Sequence, residues 1–524
     1  MESFESIIAS VFEAMQRENK IYNNYVSQNA MEKGNRFVQV MQEAEDEVKN
    51  SILELFEQNL PYEQPYMAVW WYSVLIGTKN DEQIFHRFLQ YIQSHRMAFS
   101  ANTQYFLWYQ LMHQMFLIKT LDTQENKIIL WQFYNSIIDE FAKNMNTPLD
   151  EIPKEQRDAN FVLVITEQFL VVQHGPTKTA LDRCKALISR QKKVLLINDA
   201  EVLSSVGMIP YYGIYAGNNN PNMLSEKMQT WKGAAIPYYQ CEDNMPDLDT
   251  LDDLLSDVRK MAPGRVVLIG KGGVFGNLVS RMVPTLTIGL CPSALEYTTA
   301  KYQLLGRKIN SEDIEQLQRV GLNKNHVIEG CFTSSLLLQT QHTTREQLGL
   351  PKEDFLLVVV GARLDLEVSD EFLAMMEKIF TDKMFLVFCG IYEQYEAQIQ
   401  KYPKLKSQSA KLGYCDDILS KLEVCDLYVN PTRRGGGTSS VEALYMGIPV
   451  VTVDFGDVST NVGEEFCVQD YEEMQDKIMQ YHDDKAYYEQ MSKKAKARAD
   501  ILLDTETEFI RVLQEMDRRE AETG

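Results

Sequence analysis

The sequence predicts an all-helical domain followed by two α/β domains, each a doubly wound parallel sheet covered by helices. With 524 residues the chain is too long for one hydrophobic core. Up to about residue 150 apolar residues return at three- and four-residue steps, which is the helical period. From Asn160 onward, short apolar runs alternate with amphipathic stretches, as in parallel sheets.

The helical domain is predicted to span residues 1–155. Its period is seen in Phe37, Val38 and Met41, and proline is absent before Pro61. Tryptophans recur along this region, and we expect them to pack between helices rather than to line a ligand groove. They are Trp70, Trp71, Trp108 and Trp131.

The two α/β domains are predicted to span residues 156–340 and 341–484. The strands of the first are FVLVIT (161–166), KVLLIN (193–198), RVVLIG (265–270) and TLTIGL (285–290). Those of the second are FLLVVV (355–360), MFLVFC (384–389), AKLGYC (410–415), LYVNPT (427–432) and IPVVTV (448–453). Residues 485–524 are predicted to form a long amphipathic helix that crosses back to the first α/β domain.

Composition and charge exclude several classes. The net charge of -22 disfavours a nucleic-acid partner, because phosphate binding needs a basic surface. The longest apolar run, residues 67–77, is about half of the ~20 residues that span a bilayer, and the amino terminus lacks the pattern of a secretion signal. Eight scattered cysteines favour buried free thiols in a reducing compartment. We therefore expect a cytoplasmic protein with no transmembrane segment.

The acidic run DLDTLDD (247–253) contains an Asp-x-Asp triplet. Its simplest interpretation is a solvated helix start, where acidic side chains favour the positive end of the helix dipole. We expect no metal site and no cofactor.

The segment 430–451, NPTRRGGGTSSVEALYMGIPVV, indicates a phosphate site. Its three glycines permit positive φ and close approach of a ligand, and the helix that follows offers unpaired N–H groups and a positive dipole end. Glu442 lies about one turn inside, where it can accept hydrogen bonds from ribose hydroxyls. A tight connection alone would explain the glycines, but not the neighbouring arginines, hydroxyls and carboxylate. The candidate donor-binding residues here are Arg434, Gly436, Gly437, Thr438, Ser439, Ser440 and Glu442.

The C-terminal half resembles that of GT-B glycosyltransferases, in which two Rossmann-like domains face a cleft. The resemblance is carried by GLPKEDFLLVVVGARLD, GYCDDILSKLEVCDLYVNPT and GGGTSSVEALYMGIPVVT. One similar group is the large retaining group, whose members carry two glutamates eight positions apart around the glycine turn. Glu442 matches the second of these glutamates, and Arg434 occupies the position of the first. The resemblance also fits the O-linked N-acetylglucosamine transferase family, which is inverting and modifies protein side chains. Retention or inversion is left open.

Two further donor contacts follow from this resemblance. Arg363, in VGARLDLEVSD, matches a position where donor phosphates often meet an arginine, although the lysine that commonly follows is missing. A guanidinium suits phosphate, but Arg363 can equally form a salt bridge with Asp365 or Glu367. Tyr414, at the end of AKLGYC, is the candidate contact to the base.

In the first α/β domain, QHGPTKTALDRCKAL places His174 after the first strand. The segment resembles the histidine-proline-threonine segment of the O-linked N-acetylglucosamine transferase family, with Gly175 inserted. His174 is the candidate catalytic residue, either as a base toward an acceptor hydroxyl or as a hydrogen-bond donor to a phosphate. The alternative is that it caps or packs locally. A second loop with Lys271, Gly272 and Gly273 either borders the acceptor or only turns the chain.

The expected function is transfer of a sugar from a nucleotide-diphosphate donor, with UDP-GlcNAc or UDP-Glc favoured, to a protein side chain or a growing glycan. The helical domain suggests a macromolecular acceptor, by analogy with relatives that carry helical amino-terminal domains. A homo-oligomer or another partner is expected to bind through this domain. The alternatives are a nucleotide-sugar epimerase and a non-catalytic partner that binds acceptor.

Overall fold

The computed structural model describes residues 6–7, 9–11, 13–14, 17, 28–59, 64–78, 81–172, 174–201, 219–242, 245–271 and 273–523. Within these residues, the helices of the amino-terminal region are α1 Gln28–Glu43, α2 Asp46–Asn59, α3 Pro65–Thr78, α4 Glu82–Ser94, α5 Ala101–Leu117 and α6 Gln124–Lys143. A 3-10 turn, Lys119–Leu121, joins α5 to α6. Helix α3 is buried almost all round, because its residues are apolar on every face.

The first lobe is built on a sheet whose described strands lie in the order β3-β4-β2-β1-β5-β6-β7-β8. The strands are β1 Asp158–Thr166, β2 Lys193–Asn198, β3 Met228–Trp231, β4 Ala234–Gln240, β5 Pro263–Ile269, β6 Thr285–Ile288, β7 Tyr302–Leu305 and β8 Val327–Glu329. All neighbouring strands are parallel except the β3–β4 pair. The helices are α7 Gly175–Ser189, α8 Leu248–Met261, α9 Gly273–Val279 and α10 Ser311–Arg319.

The second lobe has a parallel sheet in the order β11-β10-β9-β12-β13-β14. Its strands are β9 Phe355–Gly361, β10 Met384–Gly390, β11 Ser409–Gly413, β12 Leu427–Asn430, β13 Val450–Val453 and β14 Cys467–Val468. Its helices are α11 Leu364–Glu367, α12 Asp370–Ile379, α13 Tyr395–Ile399, α14 Pro403–Ser407, α15 Leu419–Leu422, α16 Gly437–Met446, α17 Gly456–Val462 and α18 Tyr471–Asp483. A helical region followed by two parallel-sheet lobes confirms the predicted fold class.

The helical region and the first lobe share one hydrophobic core. Trp70, Trp108 and Trp131 are fully buried in it together with Leu163 and Val266 of the first sheet. The tryptophans therefore pack as the sequence predicts. The second lobe has a core of its own.

The chain ends in two helices, α19 Lys485–Leu503 and α20 Thr505–Thr523, where the sequence predicts one. Asp504 separates them in a non-helical conformation. Helix α19 packs in the core of the second lobe, whereas α20 buries Phe509 and Met516 against the first. Among the described helices, none is apolar over enough residues to cross a membrane.

Candidate functional site

A cleft of about 470 Å³ opens at the carboxyl ends of the second sheet, where ligands bind in open α/β sheets. Its second-lobe walls come from the loops that follow β9, β10, β11 and β12, and the start of α7 closes it from the first lobe. Of the residues predicted from the sequence, those that line it are Arg363, Tyr414, Gly436, Gly437, Thr438, Ser439 and Glu442.

The glycine turn joins β12 to α16 and depends on glycine at one position in particular. Gly436 has φ +96°, and a Cβ atom there would lie 2.7 Å from Nη2 of Arg433. Both the backbone conformation and the lack of space therefore exclude a larger residue. The turn brings the first amides of α16 to the cleft.

The start of α16 provides hydrogen-bond donors. The amides of Gly437, Thr438 and Ser439 belong to the first turn, which has no acceptor within the helix. No hydrogen bond from the Thr438 hydroxyl occurs within the described residues. The hydroxyls of Ser439 and Ser440 instead donate to carbonyls of the turn, at 3.0 and 2.8 Å. Ser440 is fully buried below the cleft, so its hydroxyl stabilises the turn.

Arg433 holds the turn from beneath. Its buried guanidinium donates to the Asn430 side chain at 2.7 Å, to the Val360 carbonyl at 2.7 Å and to the Tyr428 hydroxyl at 3.0 Å. A salt bridge of 2.6 Å joins it to Glu367. The sequence pointed to a pair of arginines, and this member of the pair organises the loop.

Arg434 points away from the cleft. Its guanidinium forms an ion pair with Asp122, which follows the 3-10 turn of the helical region. Its carbonyl accepts from the amide of Asp457 at 2.7 Å. Arg434 lines a separate cavity of about 120 Å³ between the helical region and the first lobe. The structure therefore places this predicted donor contact at an interdomain junction.

Arg363 lines the cleft and also pairs with Glu367, at 3.0 Å, as the sequence allowed. The Glu367 carboxylate thus lies between Arg363 and Arg433. The ring of Phe116, from the helical region, stacks on the Arg363 guanidinium at 5.5 Å. Asp365 instead accepts from the amides of Glu393 and Gln394. The Arg363 guanidinium is thus held at the cleft by Glu367 and by the Phe116 ring.

Glu442 faces Lys178 across the cleft. Burial raises the pKa of Glu442 to about 7, and the positive charge of Lys178 opposes that rise. Lys178 lies in α7 of the first lobe and is 4% exposed. This lysine could not be found from a sequence pattern, because only the approach of the two lobes brings it to the cleft.

His174 lies at the N-cap position of α7, half-buried beside the cleft rather than in its lining. Its Nδ1 is 3.2 Å from the Thr177 hydroxyl, which accepts from the Leu170 amide. Burial lowers the pKa of His174, and Lys178 lowers it further. The imidazole is therefore neutral at pH 7, as a general base must be.

The loop with Lys271 and Gly273 lies under the helical region, and Gly272 is outside the described residues. Lys271 pairs with Glu167 at 2.7 Å and contacts the rings of Trp108 and Tyr109. The Gly273 carbonyl accepts from the Tyr134 hydroxyl at 3.0 Å. Lys271 and Gly273 are therefore not among the residues that line the cleft described above.

Part of the chain is similar to a known family. Residues 340–498 match the model of the family described as glycosyl transferases group 1. The match covers the second lobe and most of α19, but not the helical region or the first lobe. Two sheet-bearing lobes that face a cleft form the GT-B architecture. No curated protein matches the chain.

Several solved structures are similar to the chain at low identity. A Thermobaculum terrenum O-GlcNAc transferase mutant is 12% identical, with 98% of this chain and 97% of that chain covered and a TM-score of 0.49. A Rickettsia africae glycosyltransferase is 11% identical, with 69% and 97% covered and a TM-score of 0.48. Anabaena HepE, in complex with UDP and glucose, is 15% identical, with 69% and 98% covered and a TM-score of 0.46. The fold assignment itself follows from the two sheets described above.

Proposed function

We propose that the protein transfers a sugar from a nucleotide-diphosphate donor, a UDP-sugar such as UDP-GlcNAc or UDP-Glc, to an acceptor that is a protein side chain or a growing glycan. The observation that carries the proposal is the set of anion-binding groups in one cleft. These are the free amides of α16, the Thr438 hydroxyl and the Arg363 guanidinium. Together they suit a diphosphate.

The same groups give the reaction a mechanism. Negative charge develops on the diphosphate as the sugar leaves, and fixed donors in a partly buried cleft stabilise it. Glu442 accepts hydrogen bonds from the ribose, and Tyr414 lies against the base. His174, neutral at pH 7, takes the proton of the acceptor hydroxyl. Because guanidinium and amides neutralise the leaving group, we expect transfer to continue in the presence of a metal chelator.

The donor site is tested by calorimetric titration with UDP, GDP, ADP and TDP. We expect one of them to bind the wild-type protein, and Glu442→Ala to weaken that binding at least tenfold through loss of the ribose contact. Glu472→Ala is the matched control, since Glu472 is exposed at the start of α18 and outside the cleft. Absence of binding at millimolar nucleotide would refute the proposal.

Transfer is tested by mass spectrometry of oligosaccharides and lysate proteins after incubation with nucleotide sugars. We expect an acceptor to gain a hexose or N-acetylhexosamine, with His174→Ala reducing turnover at least a hundredfold. Turnover within a few-fold of wild type would remove His174 from the chemistry. Conversion of the donor sugar without any acceptor would instead identify an epimerase. Binding of acceptor without turnover would identify a non-catalytic partner.

A further inference from the structure

Lys178 is a buried cation that reaches the cleft from the opposite lobe. It lies in the first turn of α7, one helical turn after His174. The start of this helix approaches the glycine turn so closely that a Cβ atom on Gly175 would lie 4.0 Å from the Thr438 hydroxyl. Lys178 lines the cleft together with Thr438 and Glu442.

The ammonium group of Lys178 has no counter-ion in the described part of the chain. No carboxylate lies within 4.0 Å of it, Glu442 included, and it takes part in no hydrogen bond there. The next carboxylate along the helix, Asp182, is already used by the Trp231 indole and by Ser335, at 2.8 and 2.6 Å. Burying a charge without a partner is unfavourable, so this position favours an anionic ligand.

The charges of the second lobe are insufficient for a diphosphate. Arg363 and Arg433 share the carboxylate of Glu367, so these three side chains leave one net positive charge, and the cleft lining also holds the carboxyl groups of Asp416 and Glu442. A nucleoside diphosphate carries two to three negative charges. An ammonium at the other wall supplies a second positive charge where the phosphates would lie.

We propose that Lys178 is the first-lobe contact to the phosphates of the donor, so that the bound diphosphate joins the two lobes. The proposal rests on the donor site proposed above and adds a residue from the opposite lobe to it. It also assigns Lys178 a role in binding rather than in folding, because its ammonium forms no salt bridge or hydrogen bond within the described part of the chain.

The experiment compares Lys178→Met with wild type by calorimetry, using the nucleoside diphosphate that the wild-type protein binds and the corresponding nucleoside. Methionine keeps an unbranched apolar side chain and removes the charge. We expect the diphosphate to bind at least tenfold more weakly, whereas the affinity for the nucleoside should fall by no more than about two- to fivefold, the loss that protonation of Glu442 can cause. Lys185→Met is the matched control, since Lys185 lies on the same helix outside the cleft, and it should change neither affinity.

Two further measurements separate binding from folding. The melting temperature of free Lys178→Met should equal or exceed that of wild type, and Lys178→Arg should retain diphosphate affinity within about threefold. Diphosphate affinity of Lys178→Met within twofold of wild type would overturn the role of Lys178 and leave the donor site intact. If wild type binds no nucleoside diphosphate, the donor site itself is refuted. A destabilised Lys178→Met together with a Lys178→Arg protein that does not bind would also overturn the proposal.

Discussion

The carboxyl edges of the two sheets differ in what covers them. At the second sheet, hydroxyls, amides and Arg363 are open to the cleft. At the first sheet, Glu167, Asp199 and Glu201 lie beneath the aromatic residues of the helical region, and Asp199 and Glu201 are buried. The same architecture thus yields an open edge, where hydrogen-bond donors face the cleft, and a sealed edge, where these acidic residues lie under the helical region.

The helical region also reaches the second lobe. Its segment 116–122 stacks Phe116 on Arg363, places Lys119 over the ring of Phe455 and pairs Asp122 with Arg434. A region that shares its core with the first lobe therefore also contacts the glycine turn of the second lobe. The helical region is thus packed against both lobes.

The largest expected effect is at the open edge, from Arg433→Met. The substitution leaves Glu367 with only its partly exposed partner Arg363 and frees the Val360 carbonyl. Removing one member of a buried ion pair costs about 3–5 kcal/mol, so the free energy of unfolding should fall by about that amount in urea denaturation. Lys401→Met, which breaks an exposed pair with Asp370 in the same lobe, should cost less than about 1 kcal/mol. Equal losses in the two variants would contradict this view of Arg433.

The sealed edge should behave in the opposite way, because Asp199→Asn is expected to stabilise the protein. Within the described part of the chain, neither oxygen of the Asp199 carboxyl has a hydrogen-bond partner. Burial raises the pKa of this carboxyl well above the usual range, and Glu201 and Glu167 add to the rise. Its folded-state pKa thus exceeds the unfolded-state value near about 3.9. The wild-type protein therefore loses stability as the pH rises from that value towards the folded-state pKa.

Asparagine does not ionise, so the gain from Asp199→Asn should grow with pH, by up to about 1.4 kcal/mol per pH unit. Melting temperatures at pH 5 and pH 8 test this, with Asp257→Asn as the control because Asp257 is largely exposed. A gain that is the same at both pH values would show that the carboxyl is not buried as described.

The ion pair between Asp122 of the helical region and Arg434 of the glycine turn should contribute less to stability than Arg433 does. In a double-mutant cycle of Asp122→Ala and Arg434→Ala we expect a coupling free energy of about 1–2 kcal/mol, typical of contacting charges. Urea denaturation measures it. The Asp139–Arg281 pair, which also joins the helical region to another part of the chain but is more exposed, serves as the matched cycle and should couple by less than about 1 kcal/mol. If the Asp122–Arg434 cycle gives a coupling free energy no larger than the Asp139–Arg281 cycle does, the helical region does not stabilise the glycine turn.

The open edge could be predicted from sequence because its signal is local. The glycines, the hydroxyls and Glu442 are close together in the chain. The five strands predicted for this lobe are all present, most of them as apolar runs and β11 as the mixed segment SAKLG. The strands without a prediction are short or interrupted, such as β14 with two residues and β4 with Pro237. Two features could not be predicted, because both depend on segments that are distant in the chain. Arg434 turns away from the cleft to pair with Asp122. Lys178 reaches the cleft only because α7 of the first lobe lies against it.

The smallest expected effect concerns Glu442 and the pH dependence of nucleotide binding. Burial raises the pKa of Glu442 to about 7, so the carboxyl becomes ionised between about pH 6 and pH 8. An ionised carboxylate accepts hydrogen bonds from hydroxyls more strongly than a neutral carboxylic acid does. Binding of the nucleoside diphosphate should therefore strengthen about two- to fivefold over that range, while Glu442→Gln stays flat. The ratio of the two affinities, measured with the same nucleotide, cancels the titration of the phosphates. A constant ratio from pH 6 to pH 8 would place the ribose away from Glu442 and leave the phosphate contacts of the open edge unaffected.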